Sequence, residues 1–332
     1  MERTRFMIEA AEVESMAKES GLSVLQLLPC LVKSAQKLAR PPISKYHVGA
    51  VGLGSSGRIF LGANIEFPGL PLHHSIHAEQ FLVTNAVIHG ETQLKYIAVS
   101  SAPCGHCRQF LQEIRGASEI KILITSTENG GGDHQAQADD DEALSFRLLS
   151  TFLPHRFGPD DLLDKDVPLL LETHHNAVVF IDGDGDAHHH HHENNVMNGD
   201  VISNGDVTNY QNNLKCAALE AANKSHAPYS GCPSGVALMD VEGKIYKGSY
   251  KESAAYNPSL GPVQAALVAY VSAGGGGGYN RIVAGVLVEK EGAVVMQAGT
   301  ARLLLQSISP RCDFQVFHCR ASSSFDCKSP SG

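Results

Sequence analysis

Ser44-Lys45-Tyr46-His47, the apolar run Val48 to Leu53, and then Gly57, Ile59, Phe60 and Gly62 return in altered form further along the chain. They reappear as Ala227-Pro228-Tyr229-Ser230, Val236 to Met239, Gly243, Ile245, Tyr246 and Gly248. A repeated supersecondary unit predicts two copies of one arrangement. The 332 residues suit two domains of about 100 to 150 residues better than one core. Within each copy, apolar runs alternate with helical spacing, which predicts an α/β sheet carrying helices on its faces.

In the first copy, Leu28 to Leu38 reads as an amphipathic helix, with Pro29 in its first turn and Pro41-Pro42 ending it. Val48 to Leu53 and Ile59 to Leu61 flank Gly54-Ser55-Ser56-Gly57 as a hairpin, and a helix follows from about Ile76 to Ile88. Tyr96 to Val99 and Ile120 to Ile124 read as buried strands, with a helix over Cys107 to Ile114 between them. Gly130 to Asp141 reads as a glycine- and acid-rich loop. From about Glu172 to Gln211 the composition turns to Asp, Gly, Asn and His, including five consecutive histidines at 188 to 192. Such a stretch holds too little apolar surface to pack, and its histidines are read as a solvated tract rather than a metal site. A helix over Leu214 to Lys224 opens the second copy.

Two short stretches carry chemistry. His77-Ala78-Glu79 offers an imidazole and a carboxylate, and Pro103-Cys104-Gly105-His106-Cys107 offers two thiols three residues apart. Cys104 and Cys107 at a helix start face one side, and the helix dipole favours their thiolates. His77 likewise opens a helix. Three such ligands suit a tetrahedral zinc with one open corner for water, the arrangement of working rather than structural zinc. Metal-bound water deprotonates near neutrality, and Glu79 stands where a base and acid is needed. His106 as a fourth, closing ligand is the alternative, disfavoured because a turn that gathers the two cysteines directs it away.

The second copy lacks this set. Carrying the register forward from Gly62 and Gly248 puts Val263 opposite His77 and Ala265 opposite Glu79. Matching Arg108 to Ile114 with Arg302 to Ile308 puts Ala298 and Ala301 opposite Cys104 and Cys107. This copy is read as a structural duplicate.

The balance of charges narrows the partners. A net charge of -9 argues against broad contact with nucleic acid, which draws its affinity from clustered Lys and Arg. No stretch reaches the roughly 18 apolar residues of a membrane helix. The acidic segment Met1 to Glu19 resembles neither a signal nor a transit peptide, so the expected location is the cytoplasm. Of eight cysteines, only Cys104 and Cys107 have metal-ligand spacing.

The pairing of His-x-Glu with Pro-Cys-x-x-Cys is the described signature of zinc deaminases acting on nucleobases. Together with Ser44 to Ala50, Gly62-Ala63-Asn64-Ile65-Glu66-Phe67, His77 to Gln80 and Ser101 to Phe110, the chain resembles the cytidine deaminase family, in its two-domain form of plants and some bacteria. The resemblance implies a duplicated three-layer sandwich with a mixed central sheet. It also implies hydrolysis of cytidine and deoxycytidine to uridine and deoxyuridine with loss of ammonia, as in pyrimidine salvage. It further implies that hydroxide formed at zinc (Zn2+) would attack C4, with Glu79 shuttling protons. By the same resemblance, His77, Cys104 and Cys107 hold the metal, and Asn64 and Glu66 hold the ribose hydroxyls. Otherwise these last two are a turn asparagine and a solvated acid. Tyr46 takes the place of a phenylalanine that packs on the pyrimidine. The Ala78 N–H meets the base carbonyl, and the backbone around Ser101 and Ala102 reads the base edge. Phe157 matches an aromatic given to the neighbouring subunit, which implies a homodimer with shared active sites. The expected divisions are an N-terminal helical segment (1–40), a catalytic domain (41–170), a flexible linker with the histidine run (171–210) and a non-catalytic deaminase-like domain (211–332).

Overall fold

The computed structural model describes residues 5–126, 145–181, 204–275 and 278–322, with the backbone alone for 204–209. The Gly130 to Asp141 stretch and the histidine run at 188 to 192 lie outside the described residues.

The first sheet has six strands: β1 (Met7–Ile8), β2 (Gly49–Gly54), β3 (Ile59–Ala63), β4 (Leu94–Val99), β5 (Lys121–Ile124) and β6 (Arg147–Leu148). Their order is β1-β3-β2-β4-β5-β6, with β4 and β5 parallel and the other pairs antiparallel. Around it lie α1 (Ala10–Ser20), α2 (Val24–Gln36), α3 (Ala78–Ile88), the short α4 (Gly105–Phe110) and α5 (Leu149–Phe152). The second sheet contains β7 (Val178–Phe180), β8 (Ser234–Asp240), β9 (Ile245–Ser249), β10 (Ile282–Lys290) and β11 (Asp313–Ala321), in the order β7-β11-β10-β8-β9. Again one pair, β10 and β11, is parallel. Its helices are α6 (Asn204–Asn223), α7 (Pro262–Ser272) and α8 (Ala298–Ile308). The fold is thus a duplicated mixed-sheet α/β arrangement.

Glycines show which face each helix covers. A Cβ on Gly49 would lie 2.8 Å from Val32 O in α2, and one on Gly52 would lie 3.1 Å from the Leu82 side chain in α3. Positions three apart on a strand face opposite ways, so the two helices sandwich the sheet. Residues 5–40 belong to this unit, since β1 pairs with β3 and α2 packs on β2. The helix expected at Leu28 begins earlier, at Val24, because Ser23 and Gln26 form a reciprocal capping box. Pro29 therefore sits inside the helix rather than in its first turn.

Every residue of α3 from Ala78 to Ala86 is buried, as is every residue of α7 from Pro262 to Val271. A helix buried all round needs cover on every side. Each packs on its own sheet with one flank and on the other helix with another, so a single core spans both copies.

The contact of helix with strand also fixes the register of the repeat. A Cβ on Gly62 would lie 2.2 Å from Ala78 O and 2.6 Å from Leu82 N, and one on Gly248 would lie 2.2 Å from Pro262 O and 2.1 Å from Ala266 N. Pro262 therefore stands opposite Ala78, Gly261 opposite His77 and Val263 opposite Glu79. The pairing expected from sequence, Val263 with His77 and Ala265 with Glu79, is two residues out of step. Its cause is loop length: Ile76 bridges Ile65 from eleven positions on, and Leu260 bridges Lys251 from nine.

Because no side chain fits between β3 and α3, Gly62→Ala must push the helix off the strand. The expected loss is about 1–3 kcal/mol, read from chemical denaturation; a change within about 0.5 kcal/mol would show that the contact is not a constraint.

Candidate active site and metal centre

His77 is the N-cap of α3 and Cys104 the N-cap of α4, so two helix N-termini converge on one point. His77 Nδ1 lies 3.4 Å from Cys104 Sγ and 3.3 Å from Cys107 Sγ, and the two sulfurs are 3.6 Å apart. Zinc–sulfur bonds of about 2.3 Å and zinc–nitrogen bonds of about 2.0 Å at tetrahedral angles span edges of about 3.8 Å and about 3.5 Å. The donor set fits zinc. Among the described residues, these three form the one group of His, Cys, Asp or Glu side chains able to hold a metal ion. His106 does not join them. Its ring stacks on that of His77, centroids 5.0 Å apart, and its buried Nε2 has no protein partner.

The site's electrostatics suit a cation. The Cys104 thiol is drawn down to about 3 by hydrogen bonds with Cys107 and His77, and the Cys104 thiolate in turn raises His77. Cys107 is held well above its usual range, first by its hydrogen bond to Cys104 and then by burial. The Glu79 carboxyl is 4 % exposed, and burial raises its pKa above the ordinary carboxylate value. It sits beside the Cys107 thiol.

A cavity of about 500 Å³ opens onto this cluster. His77, Ala78, Glu79 and Cys104 line it, together with Tyr46, Asn64, Glu66, Ser101 and Ala102. Asn64 ties down the loop in front of β2: its Oδ1 accepts from Val48 N at 2.9 Å, and its Nδ2 donates to Tyr46 O at 2.9 Å. Glu66 accepts from Ile43 N and Ser44 N, both at 2.9 Å, and from Ser44 Oγ at 2.5 Å. Burial alone would raise its pKa, but those hydrogen bonds outweigh it and hold the carboxylate low. The same clamp recurs in the second copy, where Tyr229 N, Ser230 N and Ser230 Oγ bond to Glu252. The Tyr46 hydroxyl meets Ser101 Oγ at 2.7 Å. Both residues also line a neighbouring depression with Lys33, Lys45 and His47, so their hydrogen bond forms part of the dividing wall. Phe157 is not brought to the cavity. It is exposed on the loop after α5, its carbonyl accepting from Gln109 Nε2 at 2.6 Å.

Several residues that support the site carry no mark in the sequence. Gln80 Nε2 donates to Pro258 O at 2.9 Å, tying the first turn of α3 to the second copy. Glu113, just beyond α4 and fully buried, accepts from Tyr229 Oη at 2.6 Å and Ala254 N at 2.7 Å, with His226 Nε2 at 3.2 Å. Both ligand-bearing segments are thus braced by the copy that lacks ligands. Leu72, exposed on the cavity rim, is a further lining residue that no pattern announces.

Glu113→Leu strands three groups at once, two of them buried and the third, the Tyr229 hydroxyl, half-buried. Its expected cost is at least about 2 kcal/mol, with faster loss of zinc to a chelator; unchanged stability and zinc retention would remove the brace from the account.

Residues 23–124 match a family model described as the cytidine and deoxycytidylate deaminase zinc-binding region, and residues 149–302 match a second model of the same description. Cytidine deaminase 1 of Arabidopsis thaliana is 62% identical over 319 residues, covering 96% of this chain and 99% of its own length. Cytidine deaminase 6 of the same plant is 49% identical over 311 residues, covering 92% and 96%. A crystal structure of cytidine deaminase from Mycobacterium tuberculosis, 29% identical, covers 40% of this chain and 96% of its own, with a TM-score of 0.31. The likeness at these identities runs nearly end to end and takes in both copies, so the chain belongs to the zinc-binding cytidine deaminase family of hydrolases.

Proposed function

We propose that this chain hydrolyses cytidine and deoxycytidine to uridine and deoxyuridine, with release of ammonia, as a homodimer serving pyrimidine salvage in the cytoplasm. One observation carries the reading: three donors that leave a zinc corner open stand beside a buried carboxyl, on the wall of a cavity of nucleoside size.

Zinc held by His77, Cys104 and Cys107 lowers the pKa of water at the open position towards neutrality. The remaining work falls to the chain. Glu79, whose pKa burial raises, is suited to take one proton from the attacking water and deliver it to the pyrimidine ring nitrogen, and then to carry the second, from the hydroxyl left on C4, to the departing amine. Water and cytidine enter; uridine and ammonia leave. The Ala78 N–H belongs to the first turn of α3, where backbone donors lack helical partners, and serves the base carbonyl. Asn64 Nδ2 keeps one hydrogen, and the Glu66 carboxylate keeps lone pairs, for the ribose hydroxyls. Tyr46 offers its ring to the pyrimidine, fixed in place through Ser101.

The dimer reading rests on Phe157, an exposed aromatic that does not line the active-site cavity of its own chain. Insertion into a partner's site would cover it. The cytoplasmic reading draws support from the seven described cysteines, all free thiols.

Glu79→Gln keeps the acceptor shape but cannot take the proton. Zinc content and folding should stay intact while turnover of cytidine, followed by absorbance, falls about 10²- to 10⁴-fold. No turnover by the zinc-loaded wild-type protein would sink the proposal. Sharing of sites has its own test. Phe157→Ala should be weakly active, and mixing it with Glu79→Gln under conditions of subunit exchange should recover activity. If the mixture merely averages its two components, each site is self-contained.

A further inference from the structure

A second cavity, of about 320 Å³, lies where the two copies meet and shares no lining residue with the first. Thr84, Val87 and Ile88 of α3, the end of α6, β9 and α7 form its walls. Four lysines line it, Lys224, Lys244, Lys247 and Lys251, against the single carboxylate of Glu220. That carboxylate is already shared, with Lys224 Nζ at 2.7 Å and Lys247 Nζ at 2.8 Å. The lining therefore carries an excess of positive charge.

Lys251 makes the excess costly. It is 3% exposed, and its ammonium donates one hydrogen bond, to Ser249 O at 3.1 Å, out of three it could give. No carboxylate pairs with it among the described residues, and burial brings its pKa down to about 7. A buried lysine of this kind either sheds its proton or finds an anion. A second observation points the same way. Thr84 Oγ1 is fully buried on the cavity wall with no hydrogen-bond partner. Apart from Tyr246 and Ser249 the rest of the lining is apolar, with Val87, Ile88, Ile245, Ala265 and Ala269 prominent.

We propose that this cavity binds a small phosphorylated metabolite with a flat apolar body, of the size of a nucleoside monophosphate. Ammonium groups serve phosphate as point charges, the volume lies within the range of about 300–1,000 Å³ typical of small-ligand sites, and the apolar wall accounts for the body.

The test is titration calorimetry of the full zinc-loaded chain with adenosine 5′-monophosphate and, separately, inorganic phosphate, both with uridine present to occupy the first cavity. One nucleotide per chain should bind with Kd below about 1 mM and about tenfold more tightly than inorganic phosphate. Lys251→Met should weaken the nucleotide about tenfold with cytidine turnover unchanged. Should that buried change disturb folding, the paired exposed changes Lys244→Gln and Lys247→Gln must weaken it by themselves. Absence of binding, affinity indifferent to these lysines, displacement by uridine, or equal affinity for inorganic phosphate each overturns the assignment.

Discussion

The backbone contact across Gly62 governs the rest of the structure. A helix carbonyl and a helix N–H come so close to β3 that no Cβ fits, and this fixes where α3 begins relative to the sheet. The starting point decides that His77 is the N-cap and Glu79 lies in the first turn. In the second copy the identical contact at Gly248 starts α7 with Gly261 and Pro262. Proline is favourable at the first helical position because the N–H it lacks has no helical partner there. At the corresponding place, Ala78, which lines the cavity, keeps its N–H. The duplicate has therefore given up the imidazole, the carboxylate and the backbone donor together.

What the second copy keeps separates fold from chemistry. Glu252 is clamped by Ser230 as Glu66 is by Ser44, although nothing near Glu252 resembles a metal site. The clamp belongs first to the fold, where it closes the turn before the hairpin. Asn64 differs: its counterpart two residues before Glu252 is Tyr250, so the amide bridge to Tyr46 and Val48 is peculiar to the copy that carries the metal donors.

Alternation and helical spacing suffice to read an α/β sheet with covering helices, while the mixed strand order, like the grouping of His77 with Cys104 and Cys107, leans on a described motif and the family resemblance. A local rule misleads where a neighbouring one competes with it. Pro29 drew the start of α2 towards itself, although Ser23 and Gln26 spell a capping box four residues earlier. The register of the repeat slipped because two extra loop residues leave hydrophobic pattern untouched, while the retained Gln80 and Gln264 would have marked the true alignment. Glu113 had no such signal. Its partners lie more than a hundred residues away, and an isolated acid after a helix looks like any solvated one.

The loss of one metal set also has a physical rationale in the way α3 meets α7. A buried carboxyl beside thiolates is costly to hold in a low-dielectric interior. Two such helices packed on each other would place two charged clusters around one shared core. With Val263 opposite Glu79, α7 instead presents an apolar residue at that place, so the helix pair carries one such carboxyl rather than two. The apolar copy contributes in two ways. It covers the flank of α3, and it anchors the segments that carry His77 and the two cysteines through Pro258, Tyr229 and Ala254.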